Sequence, residues 1–273
     1  MKTELIITTY NSPRALNLVL CALQAQTRLP DRIAVADDGS GPETKAVLEK
    51  HQPRLPLRHV WHPDTGFGKN EILNKAIASS AADLLIFIDG DCLASAGFIA
   101  RHIELARPNS FSTGSVVRLN AETSERLNEE DITSKRVFDP QWLSRNGNIK
   151  GLSDRLKAGS APRPLAKFLD KISPVRITWS GGNASTSRAQ LIKVNGFDES
   201  MRYGGEDKEL GSRLLNAGVQ GQFLRYSAPL LHIDHPRGYV DPEIVKTNRA
   251  KIEDTRKTRR IWADLGLDRH LSA

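Results

Sequence analysis

Leu84-Leu85-Ile86-Phe87-Ile88-Asp89-Gly90-Asp91 is the stretch on which the fold turns. An unbroken apolar run that ends in two acids and a glycine reads as a strand covered on both faces, the situation of an inner strand in a parallel sheet. The sequence upstream agrees. Leu5-Ile6-Ile7, Ile33-Ala34-Val35-Ala36 and Leu57 to Trp61 read as three more strands. Helix-like segments separate them: Pro13 to Gln26, Pro42 to Lys50 and Lys69 to Ser80. In the first of these, Leu16, Val19, Leu20 and Leu23 recur at helical spacing. Pro13 suits a first helical position, with Ser12 before it as N-cap. Strands that alternate with helices predict an α/β domain on a mostly parallel sheet flanked by helices.

Working downstream, residues 118–176 lose this rhythm; polar and charged residues dominate, with apolar spots at Val137-Phe138, Trp142-Leu143 and Leu165 to Ile172. An insertion of short helices and loops is expected there. Regular signals return at Ile177-Thr178-Trp179. A helix is expected over Arg188 to Val194 with Ser187 as cap, another from Glu206 to Ala217 stopped by Gly218, and a strand over Val219 to Tyr226. The tail from Pro242 to Leu265 reads as amphipathic and basic. The chain thus divides into 1–117, an insertion 118–176, a half 177–240 that completes the same domain, and a helical tail 241–273.

Composition narrows the class. The chain has 273 residues, 39% hydrophobic and 26% charged, which excludes a disordered or collagen-like protein. Two cysteines, Cys21 and Cys92, cannot make a disulfide framework and point to a reducing compartment. No apolar stretch approaches the ~20 residues of a membrane span, and strand-like sequence from Glu4 leaves no room for a signal peptide. The expectation is a cytoplasmic protein. The net charge is +7, and the excess sits late: residues 118–176 carry 12 basic and 8 acidic side chains. Such a surface attracts nucleic acid, anionic lipid or a phosphorylated substrate, or is simply a solvated face.

In a parallel sheet, ligands bind beyond the carboxyl ends of the strands. That rule selects Thr8-Thr9-Tyr10-Asn11, Asp37-Asp38-Gly39-Ser40, Pro63 to Asn70 and Asp89-Gly90-Asp91. Residues two apart on a strand share a side, so Asp89 and Asp91 converge where the sheet meets solvent. Adjacent carboxylates raise each other's pKa unless a cation relieves them, and a hard divalent ion would then bind phosphate oxygens. A turn with two solvated aspartates is the plainer alternative. Asp37-Asp38-Gly39-Ser40 reads equally as an Asx turn. Asn183-Ala184-Ser185 fits a glycosylation sequon by chance.

Thr9-Tyr10-Asn11, Asp37-Asp38-Gly39-Ser40, Gly66-Phe67-Gly68-Lys69-Asn70 and Asp89-Gly90-Asp91, in that order and spacing, resemble glycosyltransferase family 2 with its GT-A fold. Trp179-Ser180-Gly181-Gly182-Asn183, Asn195-Gly196-Phe197-Asp198, Gly204-Gly205-Glu206-Asp207 and His232 to Gly238 look like the carboxyl-terminal region of galactosyltransferase-type members. Residues 118–176 match no motif.

The resemblance implies a metal-dependent, inverting transfer of a hexose, galactose or an N-acetylhexosamine, from a UDP-sugar to a carbohydrate or glycolipid acceptor. It implies that Thr9, Tyr10 and Asp38 hold the uracil end, and that Lys69, where the family often has arginine, reaches the base or a phosphate as a point charge. Asp89 would contact the ribose or metal-bound water. Asp91 would ligate Mn²⁺ or Mg²⁺, completed by His235, with His232 as the fallback. Three residues apart on an extended strand, both histidines can ligate only if the chain turns. Asp207, beside Glu206, is the candidate base, although a helix start should lower its pKa. Gly204 and Gly205 would let backbone approach the acceptor, and Trp179 would stack on it.

Two rivals compete. A sugar-nucleotide pyrophosphorylase would want a glycine-rich loop where Thr8 to Pro13 stand. A basic nucleic-acid-binding protein gains from Lys257-Thr258-Arg259-Arg260 but lacks a recognition motif, and no nucleic acid is expected as a partner. Peripheral contact of the tail with the anionic inner face of a membrane is a further expectation.

Overall fold

The computed structural model describes residues 1–175, 177–236 and 241–271. The strands are β1 (Thr3–Thr9), β2 (Arg32–Asp37), β3 (Leu57–Trp61), β4 (Leu84–Asp89), β5 (Cys92–Ala94), β6 (Ser110–Gly114), β7 (Val117–Arg118), β8 (Ala184–Ser187), β9 (Gln220–Leu224) and β10 (Leu230–His232). Helices α1 (Pro13–Gln24), α2 (Pro42–His51) and α3 (Lys69–Ala78) link the first four strands, and α4 (Phe98–Leu105) follows β5. Five short helices fill the segment without matched motifs: α5 (Ala121–Arg126), α6 (Glu129–Thr133), α7 (Pro140–Arg145), α8 (Leu152–Lys157) and α9 (Arg163–Ile172). Then come α10 (Arg188–Lys193), α11 (Glu206–Asn216) and α12 (Pro242–Thr258).

Seven strands form the main sheet in the order β3-β2-β1-β4-β8-β6-β9. Its first four strands run parallel; only β8 opposes its neighbours β4 and β6. The apolar run of β4 behaves as a strand buried on both faces must. Ile86 and Ile88 pack into the layer with Leu5, Ile7 and the α1 leucines, while Leu85 and Phe87 pack into the opposite layer with Ile72, Ile77, Leu210 and Leu214. Phe87 meets Trp179 edge-on at 5.4 Å and Phe197 at 6.2 Å. Replacing so large a buried ring by alanine costs about 3–5 kcal/mol in typical cores.

A small three-stranded sheet, β5-β10-β7, sits beyond the end of β4. Its register sets His232 opposite Cys92, and the Ile233 amide donates to the Asp91 carbonyl at 2.9 Å. This sheet therefore carries the far end of the chain back to the acidic turn.

Several sequence expectations change. Ile177-Thr178-Trp179 forms no strand; the strand begins later, at Ala184, and β5, β6, β7, β8 and β10 all escape an apolar-run search. Ser12 occupies the N-cap of α1 without a side-chain bond. The tail helix ends at Thr258, where Arg259 turns left-handed at φ 55°, and not at Leu265. Asn183 is fully buried, which closes the sequon to modification. Among the described residues no helix is long and apolar enough to cross a membrane.

Candidate active site

The ends of β1, β2 and β4 open on a cleft of about 1430 Å³, walled on its other side by the start of α11 and by α12. This exceeds the roughly 300–1,000 Å³ of most small-molecule pockets and leaves room for two substrates. Every residue singled out in the sequence as a site candidate lines it: Thr9, Tyr10, Asp38, Lys69, Asp89, Asp91, Trp179, Gly204, Gly205, Glu206, Asp207, His232 and His235.

At the β4 end, parallel register places Thr8 beside Asp89, and the Thr8 hydroxyl donates to Asp89 Oδ1 at 2.9 Å. Lys69, the first residue of α3, sets its Nζ 3.3 Å from Asp89 Oδ1 and 3.7 Å from Glu206 Oε1. Burial of this lysine opposes its charge, but Asp89, Asp207 and Glu206 around it raise its pKa well above the ordinary value. It is the cation of an acidic cluster.

Asp91 gathers both histidines. Its Oδ2 lies 3.0 Å from His235 Nε2 and 3.6 Å from His232 Nε2, and the two rings stack at 5.5 Å. The chain leaves β10 at His232 and turns, so the choice between the two histidines dissolves into geometry: Asp91, His232 and His235 each offer an atom within 4.8 Å of the others. Asp89, Asp91 and Cys92 form an overlapping set at the same spacing. Burial would raise the Asp91 carboxyl, yet the hydrogen bond from His235 and the charge of His232 hold it lowered. Burial also lowers the His232 pKa, against the pull of Asp91. One carboxylate oxygen and two imidazole nitrogens suit a borderline ion such as Mn²⁺, and suit Mg²⁺, which prefers oxygen, less well. Of the motif running to Gly238, Arg237 and Gly238 lie outside the described residues.

Asp207 stands in the first turn of α11, partly open to the cleft, with its Oδ1 buried and without a partner among the described residues. Burial pushes its pKa up to about 7; Lys69 pulls it down, and Glu206 and Asp89 push it further up. Burial thus outweighs the helix end, which favours the ionised form. Glu206 is otherwise engaged, accepting the Gly204 amide at 2.9 Å. Glycines lie close over these acids, and a side chain there would push the carboxylates aside. A Cβ on Gly181 would sit 2.6 Å from Asp207 Oδ1, and one on Gly182 2.9 Å from Asp89 Oδ2.

One expectation needs correction, and three further candidates, Gly204, Gly205 and Asp38, are held by contacts the sequence did not show. Trp179 borders the cleft but is 1% exposed, its ring packed against Phe87 and Phe111, so it offers no face for a sugar to stack on. Gly204 and Gly205 have φ of +114° and +110°, and a Cβ on either would strike Val245 or Ile252 of α12 at 2.8 Å. Their need for glycine comes first from these positive φ angles, and the tail helix adds to it. Asp38 is braced: its Oδ1 lies 2.7 Å from His62 Nε2 and its Oδ2 accepts the Gly68 amide at 3.0 Å. Burial raises its pKa against those two bonds. Asp37 makes the Asx turn, accepting the Ser40 amide at 2.9 Å. Tyr10 is exposed and donates to Asp64 at 2.8 Å.

Sequence reasoning placed Thr8 at the ligand edge without giving it a role, and missed His62 and the cleft face of α12 with Ile244, Arg249, Glu253 and Arg256. Thr8 was readable, being paired across from Asp89 once the strands were aligned. His62 and α12 carried no local signal.

An acidic turn at the carboxyl edge of a mostly parallel sheet faces a partly buried carboxylate across a large cleft, the arrangement of a group-transfer site. The structure of TarS from S. aureus superposes with a TM-score of 0.63 over 99% of this chain and 41% of that one, at 18% identity. A mannosyltransferase from Pyrobaculum calidifontis, solved in complex with GDP-Man and Mn²⁺, gives 0.57 over 87% and 58%, also at 18% identity. The fold is GT-A. The family model for glycosyl transferase family 2 matches residues 4–160, and one described as the N-terminal domain of galactosyltransferase matches residues 170–236. The chain belongs to glycosyl transferase family 2 and is a glycosyltransferase.

Among its relatives, the glycosyltransferase YfnE of Bacillus subtilis is 30% identical over 93% of this chain and 70% of its own length. The chondroitin synthase of Pasteurella multocida is 28% identical over 79% of this chain, and validoxylamine A glucosyltransferase of Streptomyces hygroscopicus is 29% identical over the same share. The chain spans 23% of the former and 48% of the latter.

Proposed function

We propose that the protein transfers a hexose from a UDP-sugar to a carbohydrate or glycolipid hydroxyl with inversion, using Mn²⁺, in the synthesis of a cell-surface polysaccharide or glycolipid. The observation that carries this reading is the convergence of Asp91, His232 and His235 at the edge where β1, β2 and β4 end, opposite Asp207. Names among the relatives, chondroitin synthase above all, support the polysaccharide setting. TarS has been solved with UDP-GlcNAc, with a TM-score of 0.60, which supports a UDP-sugar donor.

Asp91, His232 and His235 would hold the ion, which supplies positive charge for a departing diphosphate. Tyr10 and Asp38 line the cleft where the nucleoside base would lie, with His62 and the Gly68 amide fixing the Asp38 carboxylate. Thr8 orients Asp89 for the ribose. Lys69 adds a fixed positive charge among the acids. Asp207 accepts the proton of the acceptor hydroxyl as the new glycosidic bond forms, and a carboxyl that titrates near neutrality is matched to that task. Donor C1 would lie between Asp207 and the metal-ready turn, so attack comes from the face opposite the leaving group, which is what inverts the centre.

The test is UDP binding followed by heat flow or thermal shift, with and without Mn²⁺. Wild type should bind UDP more tightly with the ion, and Asp91→Ala should lose that gain together with turnover. Undiminished turnover in Asp91→Ala, or UDP binding indifferent to Mn²⁺ in wild type, would refute the assignment.

A further inference from the structure

Helix α9, Arg163–Ile172, is attached to the protein by its polar side. Ala166 and Asp170, four residues apart and so on one face, are its buried residues. Asp170 accepts the Tyr226 amide at 2.8 Å and the Ser227 hydroxyl, with Arg101 3.8 Å away. The apolar side turns outward. Leu165, Phe168 and Ile172, at i, i+3 and i+7, are 45%, 57% and 58% exposed. This inverts the usual arrangement, in which a surface helix puts its apolar stripe against the core. Three large exposed apolar side chains on ten residues of helix demand a covering.

The charges beside the ridge say what covers it. Arg163, Lys167 and Lys171 are the cations of the helix, and Leu169 is half-buried beside the attached face. Lys171 is exposed and has no acid partner among the described residues, while Lys167 and Arg163 share the single acid Glu104. The surrounding segment 118–176 carries 12 basic against 8 acidic side chains. A convex apolar ridge bordered by cations matches the interface of an anionic bilayer, where acyl chains receive the ridge and headgroups receive the lysines. By contrast, α12 in the tail spends Asn248, Ile252 and Thr255 on packing against α11 and its preceding loop, so the tail helix has no free apolar face.

We infer that α9 is a membrane-docking helix, which lays Leu165, Phe168 and Ile172 into an anionic lipid surface and brings the cleft to acceptors held there. The docking stands whatever the donor or acceptor proves to be; only the delivery to membrane-held acceptors rests on the proposed function.

The experiment is co-sedimentation of the full chain with vesicles of phosphatidylcholine and phosphatidylglycerol, and with phosphatidylcholine alone. The chain should sediment with the anionic vesicles, less so at high salt, and Phe168→Glu/Ile172→Glu should weaken that partition at least about tenfold, since each buried side chain of this size is worth about that factor. The melting temperature should not move, because both side chains are exposed; if the double variant fails to fold, Lys171→Glu must weaken binding in its place. Three results overturn the inference. Wild type stays in the supernatant with anionic vesicles. The double variant sediments as wild type does, while Trp262→Ser, exposed beyond the tail helix, is the change that releases it. Or wild type is a dimer that the double variant breaks, in which case a second copy covers the ridge.

Discussion

Asp207 is pulled two ways. Its place in the first turn of α11 offers partial positive charge, and Lys69 adds a full one, both favouring the carboxylate. Burial under Gly181 works the other way, and its closeness to Glu206 and Asp89 adds to it, lifting the pKa to about 7. The group must be ionised to take a proton. Rate should therefore rise with pH up to about 7 and fall roughly tenfold per unit below it. Asp207→Asn should lower kcat by about 10²–10⁴-fold, the range a general base usually contributes, with UDP affinity little changed. The measurement is a pH profile of kcat/KM for wild type at saturating metal. An acid limb centred near 4 would show that the burial seen here does not set the working pKa. At this scale the sequence singled out candidates that line one cleft and hid what surrounds them. Asp89, Asp91 and Asp207 sit in recognisable motifs, but a carboxyl's pKa depends on neighbours from α3, β4 and the Ser180–Gly182 turn, and no local pattern announces those.

Among the elements, α12 was expected as a basic tail and is in fact a wall of the cleft. Its Asn248 side chain donates to the Arg202 carbonyl at 2.8 Å and the Tyr203 carbonyl at 3.4 Å, at the loop that leads into Gly204-Gly205. Thr255 donates to Glu209, which is itself paired with Arg213 deep in α11. Asn248→Ala leaves the Arg202 and Tyr203 carbonyls without that donor and should cost about 1–3 kcal/mol, the penalty for a buried polar group left unpaired. Urea unfolding measures this, and UDP affinity with Mn²⁺ should stay within about twofold because the donor end lies across the cleft. A variant as stable as wild type would mean that α12 is not fastened through this contact. The elements that were legible share one property: β1, β2 and β4 have unbroken apolar runs, and α1, α3 and α11 have periodic ones. Strands β6, Ser110-Phe111-Ser112-Thr113-Gly114, and β8, Ala184-Ser185-Thr186-Ser187, are just as buried but built from hydroxyls. Some of their polar groups find partners far along the chain, as when Thr186 donates to the Ser110 carbonyl, while the buried Thr113 hydroxyl has no partner among the described residues, so they look like loops until the sheet is known.

Across the whole molecule, the two halves of the chain are sewn together by that hydroxyl-rich part of the sheet, and one residue ties its layers. His102 of α4 is fully buried, with Nδ1 2.8 Å from the Ser185 hydroxyl and Nε2 3.1 Å from Asn183 Oδ1. Asn183 in turn donates to the Ser115 carbonyl at 3.0 Å. The neutral ring accepts from Ser185 through Nδ1 and donates to Asn183 through Nε2, a pattern that a second proton would break. Burial lowers the His102 pKa to about 3, against 6.5 for an exposed ring; the bond to Asn183 resists this and the nearby Arg101 adds to it. The unfolded chain therefore takes up this proton below pH 6.5 while the folded one refuses it, so stability falls as pH drops from about 6.5 toward 3, at a limiting rate of about 1.4 kcal/mol per pH unit. The carboxylates held low, such as Asp37 and Asp198, act in a lower window, since their stabilisation is lost only as pH falls below the ordinary carboxylate range. Asp207, which titrates near 7, also acts between pH 7 and pH 5, but it is common to wild type and variant and cancels in their difference. His102→Gln keeps a donor and an acceptor but cannot titrate there, so its stability deficit relative to wild type, read from urea unfolding, should shrink by about 1–2 kcal/mol between pH 7 and pH 5. A deficit that stays constant over that interval would mean the folded sheet accepts the charged ring, and the layers would have to be joined there by something other than a neutral histidine.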